Sequence, residues 1–277
     1  MGTAVVRLVR TLLFTACVAG AALAHPASAQ QRDDDRFCPN RPSLGSSGCT
    51  TLPGQVQVEV AGSDWTLDNN TDERVDTIRF VDTIARIGVG PKTEFQLGWS
   101  PQVVQRTRNK TSGEVSRISG ISDLTLAVRQ NITHADGHGL STAVQPFVTL
   151  PTGRGQISDG TWSAGAVVPV VYEVNDTWSL GFTAQAAALA DEDRHGRHLD
   201  ASGIVEVGYT ISPSVTAFGD VVVERDNDSA QHVTMTQLAG SLAWQPTKRT
   251  QLDVLAVAGL NHNTPDLRLA LGGAFVF

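Results

Sequence analysis

From Gln55 to the C-terminus the chain repeats one pattern, runs of about 10 to 14 residues in which apolar side chains alternate with small or polar ones. Each run ends in Gly, Pro, Asn or Asp. A period of two sends successive side chains to opposite faces of an extended strand, so each run predicts a strand with one apolar face. Twelve such strands are expected, over Gln55–Asp68, Asp76–Val89, Thr93–Thr107, Ile121–Thr133, Leu140–Leu150, Thr161–Val174, Thr177–Ala190, Asp200–Ile211, Ser214–Glu224, His232–Gln245, Thr250–Gly259 and Pro265–Phe277.

The connections alternate in length. Short ones (Gly90-Pro91-Lys92, Asn175-Asp176, Ser212-Pro213, Pro246 to Arg249, and the somewhat longer Asn131 to Gly139) interleave with longer polar stretches. The longer stretches are Asn69–Val75, Arg108–Gly120, Thr152–Gly160, Asp191–Leu199, Arg225–Gln231 and Leu260–Thr264. A soluble sandwich has no reason to alternate them, whereas a transmembrane barrel has short turns at one end and long loops at the other. The expected fold class is therefore all-β, an antiparallel transmembrane β-barrel of about 12 strands preceded by a cleaved signal peptide. After the leader no apolar run reaches the roughly 18 residues of a membrane helix. With 26 Gly, only 2 Met, and 28 acidic against 21 basic residues, a helical bundle and a nucleic-acid binder are disfavoured.

Three segments follow. Residues 1–29 read as a secretory signal peptide, with Arg7 and Arg10, an uncharged stretch from Thr11 to Ala24, and Ala27-Ser28-Ala29 as the cleavage site. Residues 30–54 form a periplasmic N-terminal segment, and residues 55–277 the barrel. Cys17 leaves with the leader, and Cys38 and Cys49 remain to form a local disulfide in an oxidising compartment. The position of that segment before the first strand opens the reading that it enters the lumen as a short plug.

The two faces separate cleanly. In Thr177–Ala190, Trp178, Leu180, Phe182, Ala184 and Ala186 oppose Ser179, Gly181, Thr183 and Gln185, a face too small and polar for a protein core and suited to a water-contacting lumen. Tyr172, Trp178, Tyr209 and Trp244 fall beside short turns, and Trp65 and Trp162 beside long loops, as two interfacial belts would. In the last strand Leu267, Leu269, Leu271, Gly273, Phe275 and Phe277 alternate with Arg268, Ala270, Gly272, Ala274 and Val276. A terminal aromatic on such a strand resembles the signal read by the outer-membrane barrel assembly machinery, which assigns Phe275 and Phe277 to that role.

Four stretches carry a family resemblance: Asn40-Arg41-Pro42, Leu52-Pro53-Gly54-Gln55-Val56-Gln57-Val58-Glu59, Gln145-Pro146-Phe147-Val148-Thr149-Leu150-Pro151-Thr152-Gly153 and Asp176-Thr177-Trp178-Ser179-Leu180. In order and spacing the chain resembles the phenol-degradation meta-pathway family of outer-membrane barrels, often labelled simply "transporter". Members usually carry an acidic residue before the Arg-Pro, where this chain has Asn40. The resemblance implies a channel admitting hydrophobic or aromatic compounds, and it brings no catalytic or ligand residues.

Face assignment directs Glu59, Asp64, Asp82, Glu94, Asp123, Glu173, Glu206, Asp220, Glu224 and Asp253 to the lumen, with Arg86, Arg129 and Arg268. As pore-lining groups this excess of acids would favour cations in a narrow passage. The alternative is that the charges pair across the lumen and fill it. His134 with His138, and His195 with His198, lie in connections near Asp136 and Asp191 to Asp193. Neither pair has a third His or a Cys at ligand spacing, so solvated loop histidines, and no metal or other cofactor, are expected. The acidic Asp191-Glu192-Asp193 run reads as a solvated loop. No Gly-x-Ser-x-Gly elbow occurs, and the nearest Ser–His approach is Ser229 with His232, so no enzymatic activity is expected.

The sequence thus points to a passive channel in the outer membrane of a Gram-negative bacterium, in contact with outer-membrane lipid, the assembly machinery and a small-molecule solute. A closed structural or adhesive barrel, an outer-membrane hydrolase and a soluble periplasmic sandwich are the competing readings.

Overall fold

A computed structural model describes residues 36–193 and 196–277. The leader expected over residues 1–29 and one member of a histidine pair, His195, lie outside the described residues.

The strand segments are β1 (Val56–Asn69), β2 (Glu73–Gly90), β3 (Thr93–Trp99), β4 (Gln102–Asn109), β5 (Val115–Gly120), β6 (Leu124–Thr133) and β7 (Leu140–Leu150). They continue with β8 (Ser163–Glu173), β9 (Trp178–Ala190), β10 (Arg197–Ser212), β11 (Val215–Asn227), β12 (His232–Thr247), β13 (Thr250–Gly259) and β14 (Leu267–Val276). All strand pairs are antiparallel, neighbours follow chain order except that β2 also pairs with β4 and β3 with β6, and β1 pairs with both β2 and β14, so the sheet closes on itself. Closure removes the exposed edges that an open sheet would present.

The wall is a closed 12-strand barrel, because β3 with β4 and β5 with β6 are each one strand broken in the middle. The first break is at Ser100-Pro101, where the missing proline N–H ends the ladder. Opposite it, β2 exchanges its partner β3 for β4 between Thr83 and Phe80, and Val81 takes φ 55° there. A β-branched residue in the left-handed region marks a sharp local kink. The stretch Arg108–Gly120, expected as a loop, instead extends the wall as the β4–β5 hairpin, with Arg106 facing Arg117 in register. Its residues are polar on both faces, so alternation could not reveal it.

Chain direction places the short turns, the start of β1 and the end of β14 at one end, and the long loops at the other. At the seam the Phe277 N–H donates to Val56 O at 2.8 Å and the Val56 N–H to Phe277 O at 3.3 Å. The outward face is apolar almost throughout, with Phe95, Leu97, Phe182, Val205, Val223, Leu242 and Leu271 exposed. Trp178 and Tyr209 pack on it beside the short turns, ring centroids 4.6 Å apart. The inward face is small or polar: the largest fully buried side chains are Arg86, Arg129, Gln57, Glu59, Glu94 and Asn131. This inversion, apolar outside and polar within, is what a wall facing hydrocarbon requires.

Candidate functional site

The lumen is filled at the short-turn end by the segment that precedes β1. Cys38 and Cys49 are joined by a disulfide with Cα atoms 6.2 Å apart. The loop so closed lies among the inward side chains. Two Pro and two Gly within it deny it regular structure, so its backbone groups must find side-chain partners.

They find them all round the wall. The backbone N–H groups of Asn40 and Arg41 donate to Glu59 Oε2 on β1 at 3.0 and 3.1 Å. That of Leu44 donates to Asp220 on β11 at 3.2 Å, that of Ser46 to Thr183 on β9 at 2.9 Å, and that of Thr51 to Glu94 on β3 at 2.7 Å. The Ser43 hydroxyl bonds both Glu206 on β10 and Asp220. Arg41 forms an ion pair with Asp253 on β13 at 2.8 Å, the aspartate side chain being fully buried. Leu44 supplies the apolar complement, packing on Ala239, Leu255, Val257 and Ala270.

Beneath the segment lies a charged cluster. Arg86 sits between Glu59 at 2.9 Å and Glu94 at 2.8 Å, and Arg129 stands 3.8 Å from Glu94, all four side chains having no exposure. Both guanidinium groups also reach the segment, while Arg129 Nε donates to Gln145 on β7 at 2.8 Å. Arg86 donates to the carbonyl oxygens of Cys38 and Cys49, and Arg129 to Asn40 Oδ1 and to Ser46 Oγ at 2.7 Å. Two arginines and two glutamates balance in charge, which is the condition under which buried ions are tolerated. Asn40, standing where the family usually has an acid, keeps the acceptor role toward Arg129 at 3.2 Å without the charge.

The thirteen charges that face assignment directs to the lumen divide by height, and Arg79, which it omits, also lines the lumen. Glu59, Arg86, Glu94, Arg129, Glu206, Asp220 and Asp253 engage the segment or the cluster under it. Their common destination differs from the free acidic lining expected of an open passage. Toward the loop end Arg268 pairs with Asp64 at 2.6 Å, and Asp82 accepts a hydrogen bond from Ser100. Asp123 accepts from the Gly153 N–H at 2.7 Å, the Ser158 hydroxyl at 2.7 Å and the Asp159 N–H at 3.1 Å, and so holds the β7–β8 loop. Glu224 neighbours Asp200 near the loop end of β11. Glu173 leaves the lumen altogether: at the short-turn rim it bonds His138 Nδ1 at 3.1 Å and the Gly139 N–H at 3.0 Å.

Above the segment a cavity of about 480 Å³ remains, lined by Thr66, Thr77, Arg79, Asp82, Gln237 and Arg268. It is polar and of a size that admits a small organic molecule.

His134 and His138 lie in the β6–β7 turn, His134 bonding Leu140 O at 3.0 Å. His232 pairs with Asn227 at the base of the β11–β12 turn. His198 departs from the expected solvated histidine: its side chain is 7% exposed and faces three carboxylates.

The model of the family described as "Putative MetA-pathway of phenol degradation" matches residues 39–277. The chain belongs to that family. No curated protein sequence matches it. Among solved structures it is similar to the COG4313 outer membrane channel from Pseudomonas putida F1, at 14% identity and TM-score 0.68, over 85% of this chain and all of that one. It is also similar to the transport unit of the autotransporter AIDA-I from Escherichia coli, at 9% identity and TM-score 0.52, over 87% of this chain and 92% of that one. These likenesses extend the match in fold to barrels of the Gram-negative outer membrane.

Proposed function

We propose that this family member is an outer-membrane channel for passive uptake of small solutes, hydrophobic or aromatic in character, after export by a leader over residues 1–29 and insertion by the barrel assembly machinery. The observation that carries this reading is the lumen itself. A polar cavity of about 480 Å³ lies above a segment held mainly by side-chain hydrogen bonds and one ion pair, so clearing the passage requires displacing the disulfide-closed Cys38–Cys49 loop and no wall strand. The family description, with its phenol-degradation label, supports an aromatic solute. The neutral balance around Arg86 and Arg129 withdraws several acids from the lining, which reduces the cation preference that a bare count of lumen charges implies.

Single-channel recording of the refolded protein in a planar bilayer tests it, paired with uptake of a phenolic solute into proteoliposomes. The expected result is a small conductance that rises when residues 30–54 are deleted, together with solute entry above empty vesicles. A silent bilayer from both forms, with the barrel folded, would move the assignment to a closed structural barrel, the reading that the hydrogen-bonded segment favours second.

A further inference from the structure

At the outer rim two loops meet around one imidazole. His198, the second residue of β10, is more than nine-tenths buried, with Nδ1 2.9 Å from Asp191 Oδ1 and 3.4 Å from Asp228 Oδ2. Its Nε2 stands 3.1 Å from Asp226 Oδ1. Asp191 opens the β9–β10 loop, and Asp226 and Asp228 belong to the end of β11 and the loop after it. Three carboxylates around one imidazole stay net negative even when the ring is protonated.

The hydrogen bonding there is incomplete. His198 Nε2 is buried with no hydrogen-bond partner despite its nearness to Asp226, and Asp200 Oδ2, two residues along on β10, is buried and unpartnered as well. A neutral imidazole carries one N–H and one lone pair. With carboxylates at both ring nitrogens, one nitrogen must turn its lone pair toward oxygen lone pairs. A positive charge at the lone-pair side removes the conflict.

We propose that Asp191, His198 and Asp228 bind a divalent transition-metal ion, of which Zn²⁺ is the type, tying the β9–β10 loop to the β11–β12 loop. One donor atom from each residue lies within 4.8 Å of the others. Metal–ligand bonds of about 2.1 Å give donor–donor edges of about 3.0 Å in an octahedron and about 3.4 Å in a tetrahedron, against the 2.9 and 3.4 Å found about Nδ1. A metal on Nδ1 leaves the proton on Nε2, 3.1 Å from Asp226 Oδ1 though not aligned with it, so a turn of the ring on metal binding would complete the carboxylate–imidazole–metal relay that fixes a ligand's tautomer. With that turn the orphaned nitrogen gains its partner.

Two further features prepare the site. Asp228 is held in place by the N–H groups of Ala230 and Glu192, each at 2.7 Å. Any side chain at Gly196 would run into the Asp191 carboxylate. The group borders a cavity of about 380 Å³, which leaves room for waters to complete the coordination. The nitrogen donor favours Zn²⁺ or Co²⁺ over Ca²⁺ and Mg²⁺, which prefer oxygen alone.

The test is calorimetric titration of the refolded barrel with Zn²⁺ at neutral pH, with the visible spectrum of added Co²⁺ as a second reading and heat-modifiable migration as the check on folding. One ion per chain is expected, with Asp228→Asn and Asp191→Asn, both loop substitutions, each weakening binding at least tenfold. Asp226→Asn, which leaves all three ligands, is expected to weaken it about 10- to 100-fold. The proposal is overturned by absence of saturable binding, by affinity unchanged in both loop variants, or by displacement of Zn²⁺ by a large excess of Ca²⁺. Each outcome is independent of whether the barrel conducts.

Discussion

Arg41 and Asp253 are 212 positions apart in sequence and form an ion pair at 2.8 Å inside the barrel, one from the segment before the first strand and the other from β13. The pair is the segment's one charged tether to the wall of β13. Replacing Asp253 with Asn removes the charge and keeps the shape. A hydrogen bond to a charged group contributes about 1.5–3 kcal/mol, so Asp253→Asn is expected to raise the displaced population of the segment roughly 10- to 100-fold. Longer or more frequent openings in single-channel records would show it, and unaltered gating would place the restraint elsewhere.

Asn40 offers a second tether that can be strengthened. Its Oδ1 accepts two N–H groups from Arg129, both at 3.2 Å. Asn40→Asp restores the acid common in the family and turns these into charge-assisted bonds. Openings should become rarer, and the effect should be lost in an Arg129→Gln background.

Arg86 is the keystone of the buried charges. Its removal as Arg86→Met leaves Glu59 without its ion-pair partner and Glu94 with Arg129 alone, at 3.8 Å. Breaking a buried pair from one side costs about 3–5 kcal/mol. Urea unfolding in lipid vesicles should report a loss of that order, largely recovered when Glu59→Gln and Glu94→Gln are added.

Gly88 and Gly48 mark where the segment touches backbone. A Cβ on Gly48 would lie 2.6 Å from Ser141 O, and one on Gly88 would overlap the carbonyl of Leu52. Gly88 N donates to Gln55 O at 3.1 Å across this contact. Gly88→Val should push the segment off the wall while the barrel still closes, detected as new protease cleavage between Cys38 and Gly54 after reduction. An intact, protected segment would show that β2 yields instead.

Removal of Phe277 deletes both hydrogen bonds to Val56 at the seam and the exposed terminal ring. Slower appearance of the heat-modifiable form in vesicles carrying the assembly machinery is expected, with a smaller delay in spontaneous refolding, where only the bonds count.

Strand identity was legible because the wall separates hydrocarbon from a polar interior, and that contrast is written at every second residue. Leu267 to Phe277 shows it best. It fades where both faces meet water, so the end of β4 and all of β5, with Arg108 and Arg117, read as loop. The proline at 101 read as mid-strand because its neighbours keep the alternation on either side. Inward carboxylates were also legible singly. Their partners were not: Glu59 meets Arg86 and Asn40, and Asp220 meets Leu44, through closure of the sheet and insertion of the segment, neither of which has a local signature. His198 carried a partial signal in Asp191, seven residues before it. Asp226 and Asp228 come from another hairpin, beyond the reach of spacing.

The place of the inserted segment imposes a sequence of events on assembly. It immediately precedes β1, is gripped by strands as late as β13, and is enclosed by a seam that joins the first strand to the last. If the seam zips last, the carboxylates of successive strands can dock on the segment as each arrives, so the chain brings its own mandrel. The wall is then shaped around a piece of its own polypeptide, and the contacts that guide construction are the same ones that later hold that piece within the lumen.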